Sequence, residues 1–151
     1  MAYYRPAVIE DCLDLAPRMR KQDKDEVRAS HGHSPVEALL SSFKCSEESF
    51  SIIHNDQVIG MFGVAPVVDR LGCPWLLAAE ELPLISREFL PQSRTWIESL
   101  ASRYDVLINY VHSKNTVSKR WLKWLGFNLL NERTFGVNPE KFSPFVMVNH
   151  V

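Results

Sequence analysis

The chain has 151 residues, 46% of them apolar and 23% charged, with a net charge of −1. That length supports one domain with a substantial core, and the balanced charge gives no global pull toward nucleic acid or a membrane surface. Cys12, Cys45 and Cys73 are isolated and odd in number, the pattern of free thiols in a reducing compartment rather than of a disulfide or metal framework.

No apolar run approaches the roughly 20 residues that span a bilayer. The first residues lack the basic start and apolar block of a signal peptide, so a soluble location is expected. There is no internal repeat and no low-complexity tract.

Residues 2–5, AYYR, read as a first strand. A helix follows from about Val8 to Arg20, with Val8, Ile9, Cys12, Leu13, Leu15, Ala16 and Met19 on its buried side. Pro17 removes a backbone hydrogen bond inside it and predicts a break. Residues 21–33 are polar and carry a short second helix. Arg20, Asp23 and Glu26 are three apart and share one face of it. They form either a solvated row of ion pairs or a polar site facing a cleft. His31-Gly32-His33 offers two imidazoles but no third ligand, too little for a metal site.

Ser34-Pro35-Val36-Glu37 combines a cap, a first-turn proline and a third-position glutamate, and starts a helix over 35–43. Phe50 to His54 and Gln57 to Val64 form a hairpin around the turn pair Asn55-Asp56. Gly60 and Gly63 within it mark bulges or close packing. Cys73 to Glu80 is a fourth strand. Trp96, Ile97, Leu100, Ala101 and Tyr104 show helical spacing. Val106 to Val111 is a fifth strand. A helix capped by Asn115-Thr116 then carries Val117, Trp121, Leu122, Trp124 and Leu125 on a wide apolar face, and Gly126 ends it. Asn128 to Val137 and Phe142 to Val148 are the last strands.

A strand, Asn115, an amphipathic helix and the closing run Trp121-Leu122-Lys123-Trp124-Leu125-Gly126-Phe127 resemble the last strand–helix unit of the Gcn5-related N-acetyltransferase (GNAT) family. Arg5-Pro6-Ala7 before Glu10-Asp11, and Val58-Ile59-Gly60 before Gly63-Val64, resemble earlier parts of it. The resemblance implies one GNAT-like α/β (α+β) domain over 1–151, with a mixed, mostly antiparallel sheet of six to seven strands and flanking helices.

In that family acetyl-CoA is gripped by backbone N–H groups of a glycine-containing loop at a helix start. The corresponding stretch here, about 83–95, contains no glycine. Aligning Arg87 with the first residue of the family's loop places Leu90 and Gln92 at its glycines, with Pro91 between them. Two lost charge-assisted hydrogen bonds would cost roughly 3–6 kcal/mol. The resemblance also places Leu122 where many members carry a tyrosine that protonates the leaving thiolate.

Glu80 and Glu81, at the end of the fourth strand, are the candidate general bases. Arg87, Arg94 and Asn115 are the candidate cofactor-binding residues. His112 ends the fifth strand near where an acceptor would lie. Arg20, Asp23, Glu26, Gly60, Gly63, Trp75, Asn109 and Asn115 together also resemble the internal virion (core) proteins of short-tailed bacteriophages, which are GNAT-like in fold. The expectation is a non-catalytic virion-associated or accessory protein of the host cytoplasm or virion, working through protein contacts or self-association. No cofactor, nucleic acid or membrane span is expected. The alternative is an acyl-CoA-dependent N-acetyltransferase with an atypical acetyl-CoA site, and a third reading is a small-molecule or peptide binder using the cleft between the fourth and fifth strands, whose splaying the resemblance implies.

Overall fold

A computed structural model describes residues 2–149. The elements run β1 (Ala2–Pro6), α1 (Ile9–Leu15), α2 (Lys21–His31), α3 (Pro35–Cys45), β2 (Glu48–His54), β3 (Gln57–Val68), β4 (Leu71–Ala78), α4 (Ser86–Ser99), β5 (Val106–His112), α5 (Thr116–Leu125), β6 (Asn128–Leu129), β7 (Arg133–Phe135) and β8 (Glu140–Val148). Eight strands form one sheet in the order β1-β2-β3-β4-β5-β8-β6, with β7 also on β8. Every pairing is antiparallel except β4 with β5.

Local chemistry sets most of these bounds. The Ser34 hydroxyl accepts from Glu37 N–H while the Glu37 carboxylate accepts from Ser34 N–H, which closes a capping box at α3. Asn115 Oδ1 accepts from Ser118 N–H at the start of α5, and Gly126 ends that helix at φ 107°. Asn55 and Asp56 both have positive φ, the geometry that a two-residue hairpin loop requires. Pro17 stops α1 at Leu15 and leaves a 3₁₀ turn over Ala16–Arg18.

Two features differ from the sequence reading. The expected strand over 128–137 is divided into β6 and β7. Leu130 N–H donates to Pro144 C=O, but Pro144 has no N–H to return, so the ladder lapses there and resumes at Arg133↔Phe142. The other difference is the orientation of α1. Cys12, Leu15, Ala16 and Met19 are buried, whereas Val8, Ile9 and Leu13 are exposed. Asp11 sets that orientation. Its carboxylate takes both arms of the Arg5 guanidinium, Val8 N–H and the Ser51 hydroxyl. Burial raises the Asp11 carboxyl, but these donors outweigh it and hold it below the usual carboxylate range.

The core lies on both faces of the sheet, and Val58 through Val64 of β3 are all buried. Phe50, Phe62, Phe89 and Trp96 interlock edge to face and stacked, with ring centroids 4.8–6.3 Å apart. Gly63 answers a packing demand: a Cβ there would sit 2.5 Å from the Glu48 carbonyl oxygen on the neighbouring strand. Gly63→Ala is therefore expected to cost about 1–3 kcal/mol through backbone displacement. Urea unfolding measures it, and a loss under about 0.5 kcal/mol, the range of neutral surface changes, would contradict the packing.

Candidate functional site: a split sheet braced by one helix

β4 and β5 pair only at Leu71↔Val106 and Gly72↔Leu107. Beyond that point they diverge, and the sheet opens into a cleft. Ladder alternation turns the backbone groups of Pro74, Leu76 and Ala78 toward the cleft from β4, and those of Tyr110 and His112 from β5. Four of these groups are answered by side chains. Asn109 Oδ1 accepts from Tyr110 N–H at 2.7 Å, and its Nδ2 donates to Pro74 C=O at 2.8 Å, so one carboxamide stitches the strands together. Pro74 has no N–H to offer.

Helix α2 braces the far end. Asp23 Oδ2 accepts from Ala78 N–H on β4 and from Arg20 Nε, each at 2.8 Å. Arg20 N–H donates to Ala78 C=O. Glu26 Oε1 accepts from His112 N–H on β5 at 2.9 Å and from Asn115 Nδ2 at 3.0 Å. Of the two readings of the Arg20, Asp23, Glu26 row, the structure has the cleft-facing one: Arg20 is 4% exposed and Asp23 1%. The spacing had placed the three on one face, but nothing in the pattern indicated that the face is covered.

Burial changes both acids. It pushes the Asp23 carboxyl up, while Arg20 and Ala78 N–H pull against it. Glu26 is pushed up to about 7, first by burial and then by the neighbouring Asp23, against the His112 and Asn115 donors. A cavity of about 320 Å³ lies against Asp23, Glu26, Trp75, Asn109, Tyr110 and Phe135. The Tyr110 and Phe135 rings stack at 3.9 Å and 8° along it. On the side of α4 and α5 there is a small void of about 50 Å³, walled by Phe89, Trp96, Trp121, Leu122 and Phe127. Trp121 borders both spaces, and its buried indole N–H has no partner among the described residues. The resemblance implied the cleft between these strands; Glu26's place in it emerges only in three dimensions.

None of the expected site residues Glu80, Glu81, Arg87, Arg94 and Asn115 lines the cavity, and Asn115 alone bonds to a residue that does. Glu80 is exposed and its carboxylate accepts from Lys21 N–H at 3.3 Å. Glu81 is half-buried. Neither is among the residues that line the cavity. Asn115 is buried and joins the α5 cap to Glu26. Arg87 is exposed on α4. Arg94 stacks its guanidinium 3.8 Å over the Trp124 ring and donates to Trp124 C=O. That contact partly covers Trp124, which with Val117 lies off the buried side of α5 expected for it. His112 is buried, with Nε2 2.7 Å from Glu140 Oε1.

The stretch 83–95 is also not a loop from Ser86 onward, because α4 begins there. The segment joining β4 to α4 is a tight 3₁₀ turn, Leu82–Ile85, with Leu82 and Ile85 buried. Leu82 N–H donates to Ala79 C=O, Leu84 N–H to Glu81 C=O and Ser86 N–H to Pro83 C=O, and Pro83 has no N–H. Three of the donors around this helix start, those of Leu82, Leu84 and Ser86, are thus engaged within their own turn.

No family model and no curated protein matches the chain. Solved structures do match it. It is similar over 99% of both chains to an N-acetyltransferase from Staphylococcus aureus Mu50, with TM-score 0.72 and 12% identity. It is similar to an acetyltransferase of the GNAT family from Streptococcus pneumoniae, with TM-score 0.68 and 10% identity over 99% of this chain and 100% of that one. A third is yncA from Salmonella typhimurium with its cofactor acetyl-CoA, at TM-score 0.69 and 11% identity over 100% of this chain and 95% of that one. At these identities the likeness carries the fold alone: a single α/β domain with the GNAT architecture.

Glu26 gives the site a pH signature. A carboxyl whose native pKa is raised from 4.5 to about 7 binds extra protons in the folded state between those values. Its stabilising share is full below about 4.5 and is lost as pH rises through about 7. Glu26→Gln keeps an oxygen for the His112 and Asn115 donors and removes the charge. Relative to it, the wild type should lose on the order of 2–3 kcal/mol from pH 4.5 to 8. Denaturation curves across that range measure the difference, and parallel profiles would refute the assignment.

Proposed function

We propose that this chain is a non-catalytic relative of the acyltransferases whose fold it shares. It acts through protein contacts, as a virion-associated or accessory protein of the kind found inside short-tailed bacteriophages. The observation that carries the reading is the 3₁₀ turn between β4 and α4. A pyrophosphate needs several free, convergent N–H groups at a helix start. Here three N–H groups donate within the turn, Pro83 supplies none, and Leu82 and Ile85 fill the space from inside. The residues present do not fit acetyl-CoA in the family's manner. Arg94, one of the two cations available to pair with phosphates there, is engaged with Trp124. The resemblance of Arg20, Asp23, Glu26, Asn109 and Asn115 to the phage core proteins supports the finer assignment, and those five residues are the ones that hold the split sheet together.

One observation favours the second reading, an acyl-CoA-dependent N-acetyltransferase with an atypical cofactor site. Glu26, with its carboxyl pushed up to about 7, faces a cavity large enough for an acceptor, and such a group suits general base catalysis. Glu80 and Glu81 are the other candidate bases under that reading, and Arg87 the remaining cation for the cofactor.

Isothermal titration with acetyl-CoA up to about 1 mM is expected to give no saturable heat. A dissociation constant in the micromolar range would overturn the non-catalytic reading. In that event, CoA release by Glu26→Gln against Glu80→Gln with Glu81→Gln identifies the base. The virion assignment predicts a gene among phage head and tail genes, and a place in a chromosomal metabolic operon would contradict it.

A further inference from the structure

The cavity between β4 and β5 is unevenly charged. Asp23 and Glu26 border it; among the described residues neither lysine nor arginine does, and the imidazoles of His31 and His33 are the basic groups on its lining. Arg20 already pairs with Asp23 at 2.8 Å from behind, so a single carboxylate is left unmatched. Glu26 commits Oε1 to the donors of His112 and Asn115, which leaves Oε2 for the cavity. Tyr110 and Phe135 also line the cavity, stacked with one face of each ring against the other, and Trp75 joins them on the lining.

A neutral ligand would leave the unmatched carboxylate without a counter-charge. An anion would be repelled by it. An ammonium would surrender strong hydration in a largely apolar space. A guanidinium is planar, weakly hydrated and always charged, it stacks on aromatic faces, and it presents several N–H donors to one carboxylate. We infer that this cleft is a binding site for a guanidinium group, held by Glu26 among the aromatic rings of Trp75, Tyr110 and Phe135.

Two sources share that chemistry: a free guanidinium compound, and an arginine side chain carried by a segment of another protein. The Trp121 N–H, buried at the border of the same cavity without a partner among the described residues, needs an acceptor. A guanidinium has none, whereas the carbonyls of a peptide chain do. The backbone groups of Leu76, turned toward the cleft, likewise suit an extended segment. The inference deepens the reading of this protein as one that works through contacts, and it rests on that reading.

Calorimetry on the full chain tests it with benzamidine, its neutral isostere benzamide, benzylamine, and capped Ala-Ala-Arg-Ala-Ala beside its lysine counterpart. Benzamidine should bind saturably, at least about fivefold tighter than benzylamine, with no binding of benzamide. The arginine peptide should exceed the lysine peptide by a similar factor. Binding of the arginine peptide tighter than benzamidine assigns the ligand to a protein segment, and the reverse order assigns it to a free compound. Glu26→Gln should abolish the preference for the cation while keeping the fold, and Phe135→Leu should weaken benzamidine without changing its preference over benzamide. Equal binding of benzamide, equal binding of benzylamine, or no saturable binding of benzamidine and the arginine peptide would overturn the proposal. An acetyl-CoA titration on the same preparation reads the non-catalytic assignment separately, so the failure of one is not mistaken for the failure of the other.

Discussion

Two carboxylates one helical turn apart hold the two arms of this molecule in place. Asp23 takes the N–H of Ala78 at the end of β4, and Glu26 takes the N–H of His112 at the end of β5. A sheet that splits exposes backbone donors and acceptors on both inner edges, and leaving them unpaired inside a protein is costly. Helix α2 answers the donors at the wide end, and Asn109 answers one donor and one acceptor nearer the apex. These bonds brace the two edges of the cleft. The same arrangement buries Asp23 beside Glu26 and raises both carboxyls, so the element that fixes the geometry also fixes the electrostatics.

The two sides of that cleft differ. Toward α2 and β7 a cavity persists, lined in part by polar groups. Toward α4 and α5 aromatic and aliphatic side chains close in, and the turn before α4 pairs with itself. The opening in the sheet thus has a cavity on one side and packed side chains on the other. The sheet order and the helix positions depend on other residues: the Asp11 cluster, the Asn115 cap, and Gly63 against Glu48.

Much of this was legible in the residues. Caps and stops were the clearest: Ser34 with Glu37, Asn115, Gly126, the Asn55-Asp56 turn and the break at Pro17 all act locally, and each lies where its own chemistry demands. The division of the strand after α5 was not legible, because its cause, Pro144, lies on the partner strand. The exposure of Ile9 and Leu13 was hidden for a similar reason: hydrophobic spacing suggested which residues would be buried, but the Asp11 bonds to Arg5 and Ser51 rotate α1. The site shows the limit most plainly. The three-residue spacing of Arg20, Asp23 and Glu26 was visible, yet only the approach of β4 and β5 makes that face an interior one. Leu82 and Ile85 explain the glycine-free helix start as a turn folded inward, which composition alone could not indicate.

The pairing of β4 with β5 at two residue pairs has a mechanical consequence. The half-sheet β1–β4 and the half-sheet from β5 onward each hold together through long antiparallel ladders that would have to shear. Between them runs a seam closed chiefly by side chains: Asn109 near its apex, Asp23 and Glu26 at its mouth. A load that separates the halves meets those bonds one after another, so the molecule peels along this line while each half is still intact.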